Sequence, residues 1–406
     1  MARGPDISLP APSQPRASIV VIGWRNAPLL ERCLDALSRQ QAPAGGFETI
    51  VILNGAVDDV VELVESRVTG ARVLSARVNL GFGRACNRAA SVARGEHLLF
   101  LNDDAVPDPD WVSALVQTAE RHPAAGAVGS QVHGPDGRIL EAGSLLWNNA
   151  LISHLGRGAE GGSARHQFLR RVDYCSAAAL LVRRSTWVTV GGFDERYFPG
   201  YYEDVDLCLS ITALGQHILY QPRARVTHAE SASIDHDFKH LVSDKSRAKF
   251  QFKWAEALST YPPVPQTEDA FDRAAHAARH LHLRALLALD RDPDLRLTRA
   301  VVAAGYAVTA AGPLDPSIDP VELGDLGVEV VDGDLAGHLD GPAVLYDVAV
   351  LRGQEHVRTL APVVRARQPW AAIVNGGEEA PPTDEGWGDV LRGARLRQAG
   401  LARAQA

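Results

Sequence analysis

From Ser18 onward, short β-branched or leucine-rich runs alternate with stretches in which apolar residues recur every third or fourth position. Ile19 to Ile22 predicts a strand, and Ala27 to Gln40 a helix with Leu30, Cys33, Leu34 and Leu37 on one face. The alternation continues with strands over Thr49 to Leu53, Arg72 to Ser75 and Glu96 to Leu101, separated by helices over Val57 to Val68 and Gly83 to Ala93. Such a pattern predicts an α/β fold whose mixed, mostly parallel sheet is covered by helices. After a helix predicted over Asp110 to Arg121 the regularity falls away. Gly134 to Gly162 is rich in glycine and polar residues, then Ala177 to Val182 resumes a strand and Val205 to Leu214 a helix. A long irregular insertion of this kind is more often functional or mobile than core.

A second alternation begins near Arg284, with strands predicted over Ala285 to Leu289, Ala307 to Thr309, Val328 to Val331, Asp347 to Leu351 and Ala371 to Val374. No glycine-rich phosphate loop follows its first strand, where Asp290-Arg291-Asp292-Pro293 stands instead, so a dinucleotide site is unsupported. The expected organisation is a disordered tail over 1–16, a first domain over 17–244, a helical linker over 245–283, a second small Rossmann-like α/β domain over 284–378 and a flexible tail over 379–406. The Pro-rich segment Tyr261 to Pro265 is the best candidate hinge within the linker.

Composition narrows the class. The 406 residues are 46% hydrophobic and 22% charged, globular values, and no apolar run approaches the ~18 residues of a membrane span. A net charge of −8 argues against nucleic acid as a partner and leaves room for peripheral membrane association. Met1 to Pro15 is Pro-rich and lacks the apolar core of a secretory signal, which points to a cytoplasmic protein. Cys33, Cys86, Cys175 and Cys208 are widely spaced and read as buried free thiols.

The chemistry concentrates where the strand Glu96 to Leu101 delivers Asn102, Asp103 and Asp104 to its own carboxyl end, the edge where α/β sheets hold ligands. Carboxylate oxygens there suit hard cations such as Mg2+ and Mn2+, and so a metal-bound diphosphate. Further clusters follow in order: Asn54-Gly55 at a strand end, Asn79 to Asn87 with Gly81 and Gly83, Gly191-Gly192-Phe193-Asp194-Glu195, Tyr201 to Leu207 with Glu203 and Asp204, and Val226-Thr227-His228. Taken in that order, from Ala17 to Ser233, these clusters resemble the family 2 glycosyltransferases with a GT-A fold.

The resemblance implies transfer of a sugar from a nucleoside-diphosphate donor to a glycan or small-molecule acceptor hydroxyl. It assigns Asp104 and His228 as ligands of Mn2+ or Mg2+, with Asn102 where many relatives carry an Asp and Asp103 assisting. It makes Asp204 the base that takes the acceptor proton and Glu203 an orienting carboxylate, and direct displacement would invert the anomeric centre. Asn54, Asn79, Gly81 and Arg84 would line the donor, with Trp24, Arg25 and Asn26 beside base and ribose. Leu53 stands where many relatives have an Asp used for base recognition, and Asp58 and Asp59 are candidate replacements. The Leu101-to-Asp104, Val172-to-Ala177 and Tyr201-to-Leu207 segments look most like bacterial enzymes of surface polysaccharide and rhamnosyl transfer, implying a dTDP- or UDP-linked sugar and work at the inner face of the plasma membrane. Trp147, His154, Tyr197, Tyr201 and Tyr202 are candidates to stack on an acceptor.

The second block is similar to the amino-terminal half of a GT-B glycosyltransferase and is expected to be an accessory or a purely stabilising domain. Two alternatives compete with catalysis of glycosyl transfer. A nucleotidyltransferase would require a Gly-rich, Lys/Arg-rich triphosphate loop near the first strand, which is missing; a degenerate glycan-binding or scaffold protein would accommodate Leu53 and Asn102.

Overall fold

A computed structural model describes residues 7–163, 166–229, 236–267, 283–288, 295–312, 319–331, 335–340, 346–376 and 386–405. The chain divides into two compact units: Met1–Gly161 with Arg170–Pro263, and Gly162–Leu169 with Val264–Ala406.

The strands of the first unit are β1 (Ile7–Ser8), β2 (Ala17–Gly23), β3 (Phe47–Asn54), β4 (Val68–Thr69), β5 (Arg72–Ala76), β6 (His97–Leu101), β7 (Ala105–Pro107), β8 (Ala125–His133), β9 (Ile139–Glu141), β10 (Ser144–Leu146), β11 (Ile152–His154), β12 (Arg170–Val172), β13 (Ala179–Arg183) and β14 (His217–His228). Its helices are α1 (Ala27–Ser38), α2 (Asp58–Arg67), α3 (Phe82–Ala90), α4 (Trp111–Arg121), α5 (Arg184–Val190), α6 (Glu203–Ala213), α7 (His236–Lys253) and α8 (Ala255–Leu258). Among the described residues ten strands form one sheet in the order β12-β14-β8-β13-β6-β2-β3-β5, with β7 on β14 and β9 on β8. The half β6-β2-β3-β5 is parallel, β13 runs antiparallel to both β6 and β8, and β14 is parallel to β8. β3 and β6 are buried along their whole length, as strands inside a sheet covered on both faces are. In α1 the side chain of Asn26 accepts from Leu29 N at 3.2 Å, Pro28 sits in the first turn, and Leu30, Cys33, Leu34 and Leu37 are buried.

Two strands central to the site were not legible in the sequence. β8 lies mid-sheet although it carries Gly126 and Gly129, because side chains cross it closely: a Cβ on Gly126 would meet Ile211 Cγ2 at 2.4 Å, and one on Gly129 would meet Cys175 Cβ at 2.2 Å. β14 is 12 residues long and shifts register between Gln221 and Arg225. The insertion expected to be irregular holds the short strands β9, β10 and β11.

Several expected boundaries change. Residues 7–16 are ordered rather than a disordered tail: β1 pairs parallel with β4, and Ile7 and Leu9 are buried. Residues 245–263 belong to the first unit rather than to a linker, because Lys253 and Trp254 are tied to buried Asp206 of α6. The unit boundary instead falls inside the Tyr261–Pro265 segment.

The second unit holds β15 (Leu283–Ala288), β16 (Tyr306–Ala311), β17 (Val328–Val331), β18 (Val348–Leu351) and β19 (Ala372–Asn375), all parallel in the order β17-β16-β15-β18-β19. Alternate residues of β15 enter different cores, Ala285 and Leu287 one and Leu286 and Ala288 the other, so the sheet is covered on both faces. The expected flexible tail contains the helix Trp387–Gln405, held by buried Trp387, Leu391 and Ala394. Asp290 to Pro293 lie outside the described residues.

Candidate active site

The site forms at the carboxyl end of β6. The chain leaves β6 through Asn102, Asp103 and Asp104, then enters β7, whose antiparallel pairing with β14 sets Ala105 opposite His228. That register brings His228 Nε2 to 2.9 Å from Asp104 Oδ1 and 3.3 Å from Asn102 Nδ2. Asp104 is buried. The carboxyl of Asp103 is pushed up to about 7, first by burial and then by the charge of Asp104, against a stabilising backbone N–H of Trp24.

The second acidic pair sits at the start of α6. Tyr201 and Tyr202 both adopt left-handed backbone, with φ of 68° and 71°, an unusual conformation for residues with side chains. Tyr202 is anchored by its hydroxyl, which donates to Ala150 O at 2.8 Å, and by its ring against Phe250. This entry into α6 fixes the direction of Glu203 and Asp204. Asp204 Oδ2 accepts from the Tyr174 hydroxyl at 2.8 Å and from Ala177 N at 3.1 Å, while Oδ1 accepts from Val205 N at 2.9 Å. Burial raises its pKa, and these donors oppose the rise. Glu203 is held well above the ordinary carboxylate range by burial and then by Asp204, and its Oε2 is buried with no hydrogen-bond partner among the described residues. Asp206 has a structural role: Tyr197, Trp254 and Lys253 all donate to it, at 2.9, 2.7 and 2.8 Å.

The two acidic groups belong to one sheet edge. Asp204 is bonded to Ala177 N, and the next residue, Ala178, offers its carbonyl to Asn102 N at 3.0 Å. A single step along the chain entering β13 therefore connects the candidate base to the Asn102–Asp104 turn.

Asn54, Asn79 and Gly81 build a loop beside this edge. Asn54 Oδ1 accepts from Leu80 N at 2.8 Å, its Nδ2 reaches Asn79 Oδ1 at 3.2 Å, and Asn79 Oδ1 accepts from Gly81 N at 2.7 Å. Gly81 has φ +77°, and a Cβ there would lie 2.7 Å from Pro199 O. Asn87, on α3, exchanges hydrogen bonds with both backbone groups of Phe193, so the Asn79–Asn87 motif grips the loop that leads to α6. Arg84 is paired with Glu195 at 2.9 Å. Trp24 carries the Arg25 guanidinium 4.1 Å from its ring centroid, and Asn26 caps α1. Leu53 is buried, and Asp58 and Asp59 lie exposed in the first turn of α2. Of the aromatic candidates, Trp147, Tyr197 and Tyr202 are core residues. Sequence reasoning noted Tyr174 only within the Val172-to-Ala177 motif and missed that it holds the candidate base; it missed Glu141, buried next to the same segment, altogether.

Asp104 and His228 supply one carboxylate and one imidazole, a donor set that fits a divalent ion. Among the described residues no group of three or more His, Cys, Asp or Glu could hold an ion. Few protein ligands suffice for Mg2+, which usually takes one or two carboxylates and completes its shell with waters and substrate phosphates.

The α/β sheet with its acidic edge is that of a GT-A domain. Residues 18–185 match the model of Glycosyl transferase family 2, and the chain belongs to that family. It is 32% identical over 248 residues to the N-acetylglucosaminyl-diphospho-decaprenol L-rhamnosyltransferase of Mycobacterium tuberculosis, covering 55% of this chain and 80% of that protein. It is 33% identical over 216 residues to the uncharacterized protein y4gI of Sinorhizobium fredii, covering 51% of this chain and 23% of the relative. It is 32% identical over 235 residues to the O-antigen biosynthesis protein RfbC of Myxococcus xanthus, covering 56% and 18%. Among the described residues no helix is long and apolar enough to cross a membrane.

Proposed function

We propose that the first unit is an inverting, metal-dependent glycosyltransferase. It moves a hexosyl or deoxyhexosyl group from a nucleoside diphosphate to a hydroxyl of a glycan or small-molecule acceptor. The observation that carries the proposal is the connection, through Ala177 and Ala178, between a hydrogen-bonded carboxylate and Asn102, at the start of the turn whose Asp104 pairs with His228. That arrangement supports reading Asp204 as the proton acceptor and the Asp104–His228 pair as the cation site.

Mn2+ or Mg2+ held by Asp104 and His228 would supply charge stabilisation to the departing diphosphate. Asp204 takes the proton of the attacking hydroxyl; burial makes it a stronger base than an exposed carboxylate, while its three donors keep the anion accessible. Glu203, held towards its neutral form, orients the acceptor by hydrogen bonding. The Asn54–Asn79–Gly81 loop presents the N-terminus of α3 to phosphate. Attack opposite the leaving group inverts the anomeric configuration.

The name of the Mycobacterium relative supports a rhamnosyl group, hence a dTDP-linked donor, with a UDP-linked donor as the second choice. A lipid-diphosphate glycan acceptor would set the enzyme at the inner face of the plasma membrane as a peripheral protein. The second unit serves as an accessory domain.

A thermal-shift panel of UDP, dTDP, GDP and CDP with and without manganese tests the donor site. The expected result is a manganese-dependent shift with one nucleotide, lost in Asp104→Ala. Asp204→Asn should abolish transfer while leaving nucleotide affinity near wild type; retention of full transfer by both variants overturns the assignment.

A further inference from the structure

Behind Asp204 lies a third buried carboxylate that the mechanism above does not use. Glu141 ends β9, which pairs with β8 so that Glu141 lies opposite Val132, and its side chain is almost completely enclosed. Its Oε1 accepts the Ser176 amide at 3.1 Å. Ser176 sits inside the same short segment that holds the candidate base: Tyr174 donates its hydroxyl and Ala177 its amide to Asp204 Oδ2. The segment is also tied to β10, where Ser144 N bonds Tyr174 O at 2.9 Å. Ser144 Oγ lies 2.9 Å from His154 Nδ1, and that nitrogen lies 3.7 Å from Glu141 Oε2. Glu141 thus grips the middle of a clamp whose two ends grip Asp204.

We propose that Glu141 is a positioning residue for the base: its carboxyl holds the Tyr174–Ala177 segment so that one hydroxyl and one amide meet the same oxygen of Asp204. The inference rests on the reading of Asp204 as the base. The charged and titratable groups facing Glu141 are Asp204 and Cys208 on α6, Tyr174 and Cys175 of the clamped segment, His154 on β11 and Arg157 beyond it, with Ser144 and Ser176 donating hydrogen bonds. Burial, and next to it the charge of Asp204, pushes Glu141 up to about 8. Glu141 is neutral below that value, and its ionisation above it adds a negative charge beside the candidate base.

Two variants separate holding from packing. Glu141→Gln keeps an oxygen to accept the Ser176 amide and removes the ionisation; Glu141→Ala removes both. The assay is initial-rate transfer from dTDP- and UDP-sugars across pH 5 to 9.5 (~half-unit steps), with nucleoside-diphosphate affinity and thermal unfolding measured on each protein. In Glu141→Ala, kcat should fall by about tenfold to a hundredfold with nucleotide affinity unchanged, the scale of a displaced reacting group. Glu141→Gln should retain most of kcat and lack the inflection near pH 8 that ionisation of Glu141 is expected to give the wild type. If Glu141→Ala fails to fold, Glu141→Met, which fills the space without accepting the Ser176 amide, takes its place and carries the same expected loss of kcat. A wild-type profile and rate in Glu141→Gln together with a wild-type rate in Glu141→Ala overturn the proposal, as does a loss confined to nucleotide affinity. Asp204→Asn measured in parallel distinguishes the two failures: if it retains transfer, the base assignment fails; if it is inactive while the Glu141 variants behave as wild type, only the positioning role fails.

Discussion

Tyr174→Phe is the most direct probe of how the fold prepares the base. The Tyr174 ring is buried, so phenylalanine fills the same space and only the hydroxyl is removed. That hydroxyl donates to Asp204 Oδ2 at 2.8 Å and stabilises the anion, lowering the pKa of a carboxyl that burial has raised. A hydrogen bond to a charged group contributes about 1.5–3 kcal/mol. At 1.36 kcal/mol for a tenfold change in an acid dissociation constant, its loss makes Asp204 a weaker acid by about tenfold to a hundredfold. The acidic limb of the kcat profile should move to higher pH accordingly, and at a fixed pH on that limb the rate should fall by the same factor. On the plateau above it the rate should change little, because Asp204 is ionised in both proteins. Nucleoside-diphosphate release against pH, at saturating donor, measures the limb. An unmoved limb with an unchanged rate would show that Asp204 is not the group whose ionisation controls the reaction.

Other perturbations have equally defined outcomes. Asp104→Ala should abolish the manganese-dependent part of nucleotide stabilisation, read by thermal shift, while leaving the metal-free melting temperature nearly unchanged. Gly81→Ala imposes a Cβ 2.7 Å from Pro199 O at φ +77°, so it should cost about 1–3 kcal/mol of stability by urea unfolding and weaken donor binding. Asp206→Ala removes the acceptor shared by Tyr197, Lys253 and Trp254 and should destabilise the first unit by about 3 kcal/mol, releasing α7 to proteolysis. His97 is buried with both ring nitrogens unpartnered among the described residues, and burial, then Arg183 and Arg16, lowers its pKa to about 4. The unfolded chain takes up that proton first, so stability is full above the unfolded value near 6.5 and declines as pH falls towards 4, by about 3 kcal/mol. His97→Gln should flatten that part of the stability–pH curve; an identical slope in the variant would remove His97 as its source.

The sequence by itself determined the parallel core of the first unit and the helices on it. β2, β3 and β6 are covered on both faces and so carry the apolar runs Ile19–Ile22, Ile50–Leu53 and Leu98–Leu101, and α1 shows its buried stripe at helical spacing. The Asn102–Asp104 turn was legible for the same reason, since polar residues that end such a run must lie at the sheet edge. Tertiary structure decided the rest. The strand β8 is masked by glycines whose purpose, clearance for Cys175 and Ile211, exists only once those side chains pack across it. The N-terminal segment and the last helix read as tails because their few apolar residues find partners only in the folded protein: Ile7 beside β4, and Trp387 and Leu391 in the second core. At the site, Asp104 and His228 stand 124 residues apart and meet only through the β7–β14 register. Glu141 carries no local signature at all, and Tyr174 only its place in the Val172-to-Ala177 motif. Each matters because of what lies next to it in space, and adjacency across a sheet edge is set by strand order, which a periodicity of apolar residues does not encode.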